Sequence, residues 1–586
     1  MQIDDKKAFL DSVHGYIYVN STYCKKIIDT PIFQRLRRIE QVSFRCLCPS
    51  ARHDRFIHSL GVYYIGSKML KDIESSLVNT GVCTHIEEFF SKKDFSGWQF
   101  IKATFEIACL LHDCGHAPFS HIFESYYVED KTVLIDDIMR EIKAYASTRS
   151  YDEQELINID QIQLELEARA AKINYHELCS AWLVLHNKGF REVIVQEKAD
   201  PVLIARMITG CIHLKQSDFK GDGPEVVSKF NKELTIREQL ENCFISLLNG
   251  HIIDADRLDY FARDRWATGL NTSSVDLDRL LYSITIMNKA SKDSPEYVVC
   301  VNKRAISELN NIARVKDFLK YNIINHHKVV YDTRILIKAV KRLALVMNGH
   351  TGSESEEQRE IDRRESRSMY KLFTYKSFLE EQTFSFTYDG NDYTERLKLT
   401  TDDDIVFLLK KYQCLDDSNN YADEWLYRQH RRIPLWKSYV EFADIFRSLG
   451  DDINLNKLQE CTKLVCRELI TGHTNKRGIS MITDKIEISD RIVNSPCLID
   501  NGNELLYIKI KSDIRRYKDV ASQLLPYNQV QEADRDMSSV WGFFYLYVPR
   551  LFDQNSEASE KAYKSIYGKL CSKIVDQYKD PAPIGG

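Results

Sequence analysis

The feature that most constrains this chain is a dense group of histidines directly after an apolar stretch. Residues 101–111 read IKATFEIACLL, which has the apolar spacing of a buried helix, and the next segment, HDCGHAPFSH, contains three histidines and one aspartate. Gly115 and Pro118 break the helix inside that segment. Because imidazole and carboxylate groups at the end of a helix can lean toward one ion, the segment predicts a metal site there.

Two distant segments supply the remaining donors of that site. RHDRFIHSLGV contains His58, and NGHIIDADRLDYFARD contains Asp256. With His112 and Asp113 they give two imidazoles and two carboxylates. Such a set suits a divalent cation such as manganese, iron, zinc or nickel, with magnesium as a further candidate. Another His-Asp pair begins at His53, so the prediction depends on the density of donors around the helix end and not on one dipeptide.

The apolar pattern divides the chain into two parts and a connection. At 586 residues the chain is several times a typical domain length, so more than one domain is expected. Residues 1–346 read mainly as helices, interrupted by the β-rich runs YIYV and YVVCV, the second in a predicted hairpin with SITIM. Residues 347–370 are almost all polar or charged and read as a loop or linker.

The remaining residues, 371–586, mix strand-like runs such as LLYIKIK and WGFFYLYV with amphipathic helices, and the tail KDPAPIGG reads as disordered. The predicted fold class is therefore mainly α. A helical domain with small β-hairpins is followed by a C-terminal α+β lobe, which is a candidate regulatory or oligomerising unit.

Composition excludes several classes of protein. Eighty Lys and Arg against 85 Asp and Glu give a formal charge of −5, so the molecule as a whole is no polycation for nucleic acid. The basic stretches KIKSDIRRYK and HTNKR read as solvated faces, and a local nucleic-acid patch stays open. Apolar runs are short and the start, MQIDDKKAFLDS, lacks a secretory signal, so we expect a cytoplasmic protein without a membrane partner. The 15 scattered cysteines are expected to be reduced thiols.

The order of the motifs resembles a known family. DSVHGYIYV, IIDTPIFQRLRRI, RFIHSLGV, LLHDCGHAPFSH and DADRLDYFARD follow one another as in the HD-domain superfamily of metal phosphohydrolases, most closely as in the deoxynucleoside triphosphate triphosphohydrolases. The resemblance covers about residues 7–340. It implies a helical HD domain, and its metal ligands fall on the same four residues that the donor argument selects.

The resemblance also implies a group of catalytic residues. The family's positions fall on His116, His121, Glu124 and His176. His121, tuned by Glu124, is the expected acid that protonates the leaving 5′-oxygen, while His116 and His176 are expected to hold phosphate oxygens or an ordered water. The closest family members carry Asp where this chain has Glu124, and the longer carboxylate is expected to reposition His121.

Positions that contact the substrate in the family are present as well. They are Gln41, Arg55, Arg257, Tyr260, Asp264, His327 and Lys328. The cations among them are expected to bind phosphates. Tyr260 and Asp264 are four residues apart, hence on one helix face, and together with Gln41 they are expected to meet the sugar. Asn325 and Asp317 stand where vertebrate members carry a sugar-stacking tyrosine and a phosphate-binding arginine, which leaves selectivity for base and ribose open.

IIDTPIFQRLRRI carries a second implication. In nucleotide-regulated family members this segment binds an activating guanine nucleotide between subunits, and the corresponding positions here are Asp29, Gln34 and Arg37, with Lys7 as an added phosphate contact. The same segment is structural in members without that regulation. A homo-oligomer, a dimer or larger, and a nucleotide effector are therefore expected partners together with the deoxynucleoside triphosphates.

The function that the resemblance implies is metal-dependent hydrolysis of deoxynucleoside triphosphates to deoxynucleosides and tripolyphosphate, which depletes dNTP pools, as in antiviral defence. Two alternatives remain open on the sequence. One is an HD phosphohydrolase for another nucleotide or for a nucleic-acid end. The other is a nucleotide-sensing protein whose HD site is vestigial, against which the intact ligand set argues.

Overall fold

The architecture is given by a computed structural model that describes most of the chain. The described residues are 6–79, 83–93, 97–147, 153–218, 233–250, 253–269, 275–289, 295–349, 364, 367–378, 380–388, 390–412, 421–429, 432–450, 453–471, 487–488, 493–494, 506–510, 513–516, 542–549 and 557–580. Most of the predicted linker at 347–370, the basic stretch HTNKR and the end of the tail lie outside these residues.

Helices make up most of the described structure. In the first half of the chain their bounds are Ser21–Tyr23, Pro31–Arg35, Arg55–Asn79, Ile86–Ser91, Trp98–Leu111, Lys131–Ser147, Glu153–Arg169, Tyr175–His186, Lys188–Gln196, Pro201–Thr209, Ile236–Leu248, Ala255–Thr268 and Leu277–Leu281. They continue with Ile306–Phe318, His327–Met347, Asp402–Tyr412, Tyr421–Leu426, Tyr439–Phe446, Leu455–Thr471 and Glu557–Lys579.

The strands are short and form small sheets. Their bounds are β1 (Lys6–Asp11), β2 (Gly15–Asn20), β3 (Ile284–Asn288), β4 (Tyr297–Asn302), β5 (Gln382–Tyr388), β6 (Asn391–Leu397), β7 (Arg432–Pro434), β8 (Glu487–Ile488), β9 (Val493–Asn494), β10 (Leu506–Ile510), β11 (Asp513–Arg516), β12 (Gly542–Phe543) and β13 (Leu546–Pro549). The sheets are β1-β2, β5-β6, β12-β9, β7-β13-β8 and β11-β10-β4-β3. The predicted SITIM and YVVCV hairpin is the antiparallel pair β3 and β4.

The helix Trp98–Leu111 lies at the centre of the first part of the chain. Nearly all of its side chains are buried, which matches an apolar run without a polar face. It packs against the helix Arg55–Asn79 on one side and the helix Pro201–Thr209 on another. The helix Tyr175–His186 begins with a capping box between Asn174 and Glu177. The helices Arg55–Asn79 and Tyr175–His186 carry His58 and His176, and the helix Trp98–Leu111 ends directly before His112.

The C-terminal residues pack onto the first part of the chain. Strand β10 pairs in parallel with β4, so one sheet contains residues from both parts. Buried residues from Ile17 to Ile574 belong to one hydrophobic cluster. The run WGFFYLYV, read from the sequence as one strand, divides into β12 and β13, which pair with different neighbours. The division into residues 1–346 and 371–586 stays a prediction.

The predicted fold class is confirmed: the chain is mainly helical with a few small sheets, and the described strands form no closed barrel. Within the described residues no helix is both long enough and apolar enough to cross a membrane. The cysteines described by the structure are free thiols and are mostly buried, as expected.

Gly115 packs against the helix Tyr175–His186, which provides a test of that contact. A Cβ at that position would lie 2.5 Å from the backbone N of Ser180 and 2.7 Å from the carbonyl O of His176, so neither neighbour can rotate away. We expect Gly115→Ala to lower the apparent Tm, because overpacking typically costs about 1–3 kcal/mol.

Gly568→Ala is the matched control for this prediction. Gly568 lies within the helix Glu557–Lys579, and no atom lies within 4 Å of its added Cβ. Alanine favours a helix interior by about 0.5–1 kcal/mol over glycine, so this variant should melt at or above the wild-type temperature. Equal Tm values for both variants in differential scanning fluorimetry would contradict the packing.

Candidate functional site

The helix Trp98–Leu111 delivers the first two donors. It ends at Leu111, and His112 still has helical backbone angles, φ −57° and ψ −33°. After Asp113 the chain turns, and the N–H of Gly115 donates to the hydroxyl of Ser180 at 2.8 Å. The predicted placement of the His-Asp pair at a helix end is therefore what the structure shows.

The side chains predicted as metal ligands converge. The Nε2 of His58 lies 2.9 Å from Oδ1 of Asp256 and 3.5 Å from Oδ2 of Asp113. The Nε2 of His112 lies 3.5 Å from Oδ1 of Asp113 and 3.7 Å from Oδ1 of Asp256. Three of the side chains are buried, whereas that of Asp256 is 39% exposed, so the cluster opens toward solvent on that side.

Both imidazoles turn Nε2 toward the cluster. The Nδ1 of His112 lies 2.8 Å from the carbonyl O of Cys109, which can only accept, so Nδ1 donates. The Nδ1 of His58 lies 2.7 Å from Oδ2 of Asp259, where the same reasoning applies. The Nε2 of His112 is buried and has no hydrogen-bond partner among the described residues. This donor set fits a divalent cation.

The charges of the cluster are consistent with a site for a cation. Burial alone would lower the pKa of His58, but hydrogen bonds to Asp256 and Asp259 raise it to about 9. Burial alone would raise the pKa of Asp113, but Arg55 and His112 hold it well below its usual range. The carboxylates are thus ionised and draw positive charge into the cluster.

Asp259 supports the site although sequence reasoning gave it no role. Its carboxylate holds Nδ1 of His58 and also accepts from Arg263, at 2.8 and 2.9 Å. Arg263 donates in addition to Asp11 at 2.8 Å, and Nε2 of His14 lies 2.6 Å from Asp259. The available sequence signal is spacing, since Asp259 and Arg263 lie four residues apart and therefore share a helix face.

The predicted catalytic residues form a second cluster around Glu124. The Nδ1 atoms of His116, His121 and His176 each lie 2.9 Å from Oε1 of Glu124. The rings of His116 and His176 stack with centroids 3.9 Å apart. The Nε2 of His116 lies 3.0 Å from Oδ1 of Asp113, so the two clusters meet at that carboxylate.

The histidines of this cluster differ in environment. Burial, Arg55 and His176 lower the pKa of His116 to about 3. Burial would also lower the pKa of His176, but the carboxylate of Glu124 raises it to about 9. His121 is the exposed member, with 63% of its side chain accessible, so its ring can reach a bound molecule.

Arg55 lies between the two clusters. It donates from Nη1 to Oδ2 of Asp113 at 2.8 Å and from Nε to the hydroxyl of Ser120 at 3.0 Å. Its Nη2 is 3.4 Å from Nε2 of His121. The guanidinium therefore connects the metal donors to the predicted acid.

The predicted sugar contacts involve a histidine that the sequence reading passed over. The Nε2 of His53 lies 2.9 Å from Oδ1 of Asp264, and the carbonyl O of His53 accepts from the backbone N–H of Gln41 at 3.1 Å. Tyr260 lies one turn before Asp264 on the helix Ala255–Thr268. The structure thus brings Gln41 and Asp264 together through His53.

The remaining predicted contacts lie in two places. Arg257 pairs with Asp254 at 3.1 Å, at the start of the helix that carries Asp256. His327 and Lys328 begin the helix His327–Met347, where the hydroxyl of Tyr547 donates to the carbonyl O of His327 at 2.7 Å. The carbonyl O of Lys328 accepts from Sγ of Cys46 at 3.6 Å, so the described hydrogen bonds join this pair to a C-terminal strand and to Cys46, and none joins it to the metal donors.

The four predicted effector residues are neighbours at the surface. The Nζ of Lys7 lies 3.7 Å from Oδ1 of Asp29, and both side chains are about half exposed. Arg37 donates to Oε1 of Gln34 at 2.9 Å, and its guanidinium lies 3.5 Å from the ring centre of Phe56. The contacts bring the residues together within one chain, and their role as a ligand site stays a prediction.

Comparisons with known proteins agree with the motif reading. Residues 55–177 match the HD domain family model. Deoxynucleoside triphosphate triphosphohydrolase SAMHD1 of Danio rerio is 28% identical over 324 residues, which is 55% of this chain and 42% of that protein. The uncharacterized protein YwfO of Bacillus subtilis is 26% identical over 281 residues, 48% of this chain and 44% of that protein. The chain thus spans less than half the length of these relatives.

Among solved structures, a hypothetical protein from Aquifex aeolicus covers 97% of this chain and 100% of its own, with a TM-score of 0.49 and 16% identity. The resemblance to HD-domain proteins, including triphosphohydrolases, is confirmed at the level of the family model and these relatives. The roles assigned to single residues stay predictions.

Asp259 generates a test of the metal site that leaves every predicted ligand in place. We expect Asp259→Ala to weaken metal affinity by about 10–100-fold, because the ring of His58 loses the partner that fixes its tautomer and orientation. The measurement is metal content by mass spectrometry after dialysis against graded manganese, with circular dichroism as a check on folding.

Asp278→Ala is the control, because that aspartate is 83% exposed and pairs with Lys68 away from the cluster. Metal content that is equal in the two variants would contradict the supporting role of Asp259.

Proposed function

From the HD domain at residues 55–177, a fold of metal-dependent phosphohydrolases, we propose that the protein hydrolyses deoxynucleoside triphosphates to deoxynucleosides and tripolyphosphate. The observation that carries the proposal is the meeting of two clusters at Asp113. One offers imidazole nitrogens and carboxylates for a cation, and the other presents the exposed imidazole of His121 beside it. The pairing suits attack on one side of a phosphorus atom and protonation of the leaving oxygen on the other.

His58, His112, Asp113 and Asp256 would hold the metal ion. When bound, a divalent cation supplies a water molecule activated for attack and neutralises charge on the phosphate. The chain's own contribution is orientation. Asp259 and the carbonyl of Cys109 hold the two imidazoles with Nε2 toward the centre, and Arg55 holds the carboxylate of Asp113.

The proposed reaction needs an acid because its leaving group is an alkoxide. Water attacks the α-phosphorus, the P–O5′ bond breaks, and the 5′-oxygen takes a proton as it leaves. His121 is the candidate donor, since Glu124 faces its Nδ1 and 63% of its side chain is exposed beside the metal donors. The attacking water loses a proton to solvent in the same turnover, so the products are the deoxynucleoside and tripolyphosphate.

The cations assigned to phosphate favour a triphosphate over a smaller anion. Arg55 lies beside the candidate acid and Arg257 at the helix that carries Asp256, and Lys328 is the third cation that the family resemblance assigns to phosphate. A monophosphate would not need all of them. Asp264, paired with His53, and Tyr260 are the proposed sugar contacts, and the presence of Asn325 and Asp317 leaves selectivity for base and ribose to experiment.

The experiment that tests this function is incubation of the purified chain with a panel of NTPs and dNTPs and with manganese or magnesium. Ion exchange then separates the products. Tripolyphosphate with a deoxynucleoside supports the proposal, whereas pyrophosphate or orthophosphate identifies a different phosphohydrolase. Turnover of nucleoside monophosphates or nucleic-acid ends in place of dNTPs supports the runner-up function, and no turnover of any substrate supports a vestigial site.

The two clusters predict different defects for two histidine variants. His112→Ala should lose both metal and turnover, because it removes a ligand. His121→Ala should keep its metal and lose about 10²–10⁴-fold in turnover, the usual weight of a general acid. Rates and metal content are measured on the same samples.

His186→Ala is the matched control. That histidine is 45% exposed, lies at the C-terminal end of the helix Tyr175–His186, and pairs with Glu141. Near-normal turnover of His121→Ala would remove His121 from the role of acid, and metal retained in His112→Ala would remove it from the ligand set.

Regulation by a second nucleotide is part of the proposal. Lys7, Asp29, Gln34 and Arg37 offer an amine, a carboxylate, an amide and a guanidinium within one surface region, groups that suit a guanine edge and a phosphate. A nucleotide bound there between copies of the chain would stabilise the assembled form. Such an enzyme would deplete dNTP pools when nucleotides are abundant, which is one route to antiviral defence.

Arg37→Ala tests this regulation. Adding GTP or a dNTP to the wild type should raise both the oligomer mass and the rate on a second dNTP, with a coupling of about 1–3 kcal/mol. Arg37→Ala should weaken both effects together, as measured by mass photometry and kinetics. Arg38→Ala is the control, since its side chain is 70% exposed and pairs with Asp403. One constant mass and hyperbolic kinetics with every nucleotide pair would contradict the regulation.

A further inference from the structure

The turn that carries His121 has an unfavourable backbone. Phe119 has φ 58° and ψ 27°, and Ser120 has φ 54°. These are left-handed conformations, and neither residue is glycine. Two such residues in succession persist only where neighbouring groups hold them. What holds this turn therefore decides where the imidazole of His121 lies.

One carboxylate from the C-terminal part of the chain holds it. Oδ1 of Asp402 accepts from the backbone N–H of Phe119 at 2.6 Å, and Oδ2 accepts from the backbone N–H of Glu40 at 2.9 Å. Ser120 completes the connection, because its hydroxyl donates to the carbonyl O of Glu40 at 2.6 Å and accepts from Nε of Arg55 at 3.0 Å. Both oxygens of the carboxylate are thus used to fix two segments from the first part of the chain.

Asp402 is not required for the helix in which it lies. The helix Asp402–Tyr412 has another carboxylate at its start, since Asp404 accepts from the N–H and the hydroxyl of Thr401 at 2.8 and 2.7 Å. The side chain of Asp402 is buried and contacts the turn at 119–120. Arg35 joins the same two regions, because it donates to the carbonyl O of Thr400 at 2.8 Å and to the carbonyl O of His116 at 2.6 Å.

We propose that Asp402 is a positioning residue for His121: it locks the left-handed turn at 119–120 so that the imidazole stays beside Glu124 and Arg55. The C-terminal part of the chain thereby completes the catalytic loop of the HD domain. This inference rests on the proposed function for its kinetic consequence. A displacement of a reacting group by about 1 Å costs on the order of 10²-fold in rate, which sets the expected effect.

The test compares Asp402→Asn with Asp403→Asn in the full-length chain. Asparagine has one acceptor oxygen, and its NH₂ group would face an N–H donor, so it cannot replace both hydrogen bonds. Asp403 is the control because its side chain is 67% exposed and pairs with Arg38. Two substrates are used: a dNTP, whose alkoxide needs a proton, and bis(4-nitrophenyl) phosphate, whose 4-nitrophenolate leaves without one.

Asp402→Asn should lose about 10²-fold in kcat on the dNTP, keep its metal content, and change by less than about threefold on bis(4-nitrophenyl) phosphate. Asp403→Asn should match the wild type on both. Equal losses on the two substrates, or none, would overturn the positioning role, because a purely structural defect does not depend on the leaving group. If Asp402→Asn does not fold, Asp402→Glu is compared with Asp403→Asn on the same two substrates.

Hydrogen exchange separates this inference from the proposed function. Amide exchange in the peptides that contain Phe119 and Glu40 should speed up in Asp402→Asn and stay unchanged in Asp403→Asn. Unchanged exchange in both variants overturns the lock whatever the enzyme hydrolyses. If exchange is faster in Asp402→Asn but the wild type releases no tripolyphosphate, the lock is supported and only the proposed function is contradicted.

Discussion

The buried carboxylate of Asp113 is the interaction on which the candidate site depends. Arg55 donates to one oxygen at 2.8 Å, and the imidazoles of His116 and His112 lie 3.0 and 3.5 Å from the other. A buried carboxylate keeps its charge only among cations and donors. The helix Arg55–Asn79 and the turn after Leu111 are therefore held against each other at this point, and both clusters form around it.

Local patterns were sufficient to predict the helix Trp98–Leu111 and a small hairpin, whereas the roles of the donors stay predictions. An apolar run that ends in a histidine-rich segment predicts both the helix Trp98–Leu111 and the chemistry at its end, because the donors are adjacent in sequence. His58 and Asp256 were identified by their residue types and motifs, and the structure places them within 2.9 Å of each other. The β3 and β4 hairpin followed from two strand-like runs across a polar turn.

The supporting contacts could not be predicted in this way, because they join residues far apart in sequence. Asp259 meets His14 across 245 residues, and Asp402 meets Phe119 across 283. Periodicity indicates which side of a helix is buried, but it does not indicate which partner lies opposite. The parallel pairing of β10 with β4 could not be predicted for the same reason, because its register depends on how the C-terminal part of the chain packs.

The most direct test of the account is hydrolysis of a deoxynucleoside triphosphate in ¹⁸O-labelled water, followed by mass spectrometry of both products. Attack of water at the α-phosphorus, beside Asp113 and His121, predicts one ¹⁸O atom in tripolyphosphate and none in the deoxynucleoside. Label in orthophosphate or pyrophosphate would place the attack at another phosphorus. Label in the deoxynucleoside would show cleavage of the C–O bond, and either result would contradict the account.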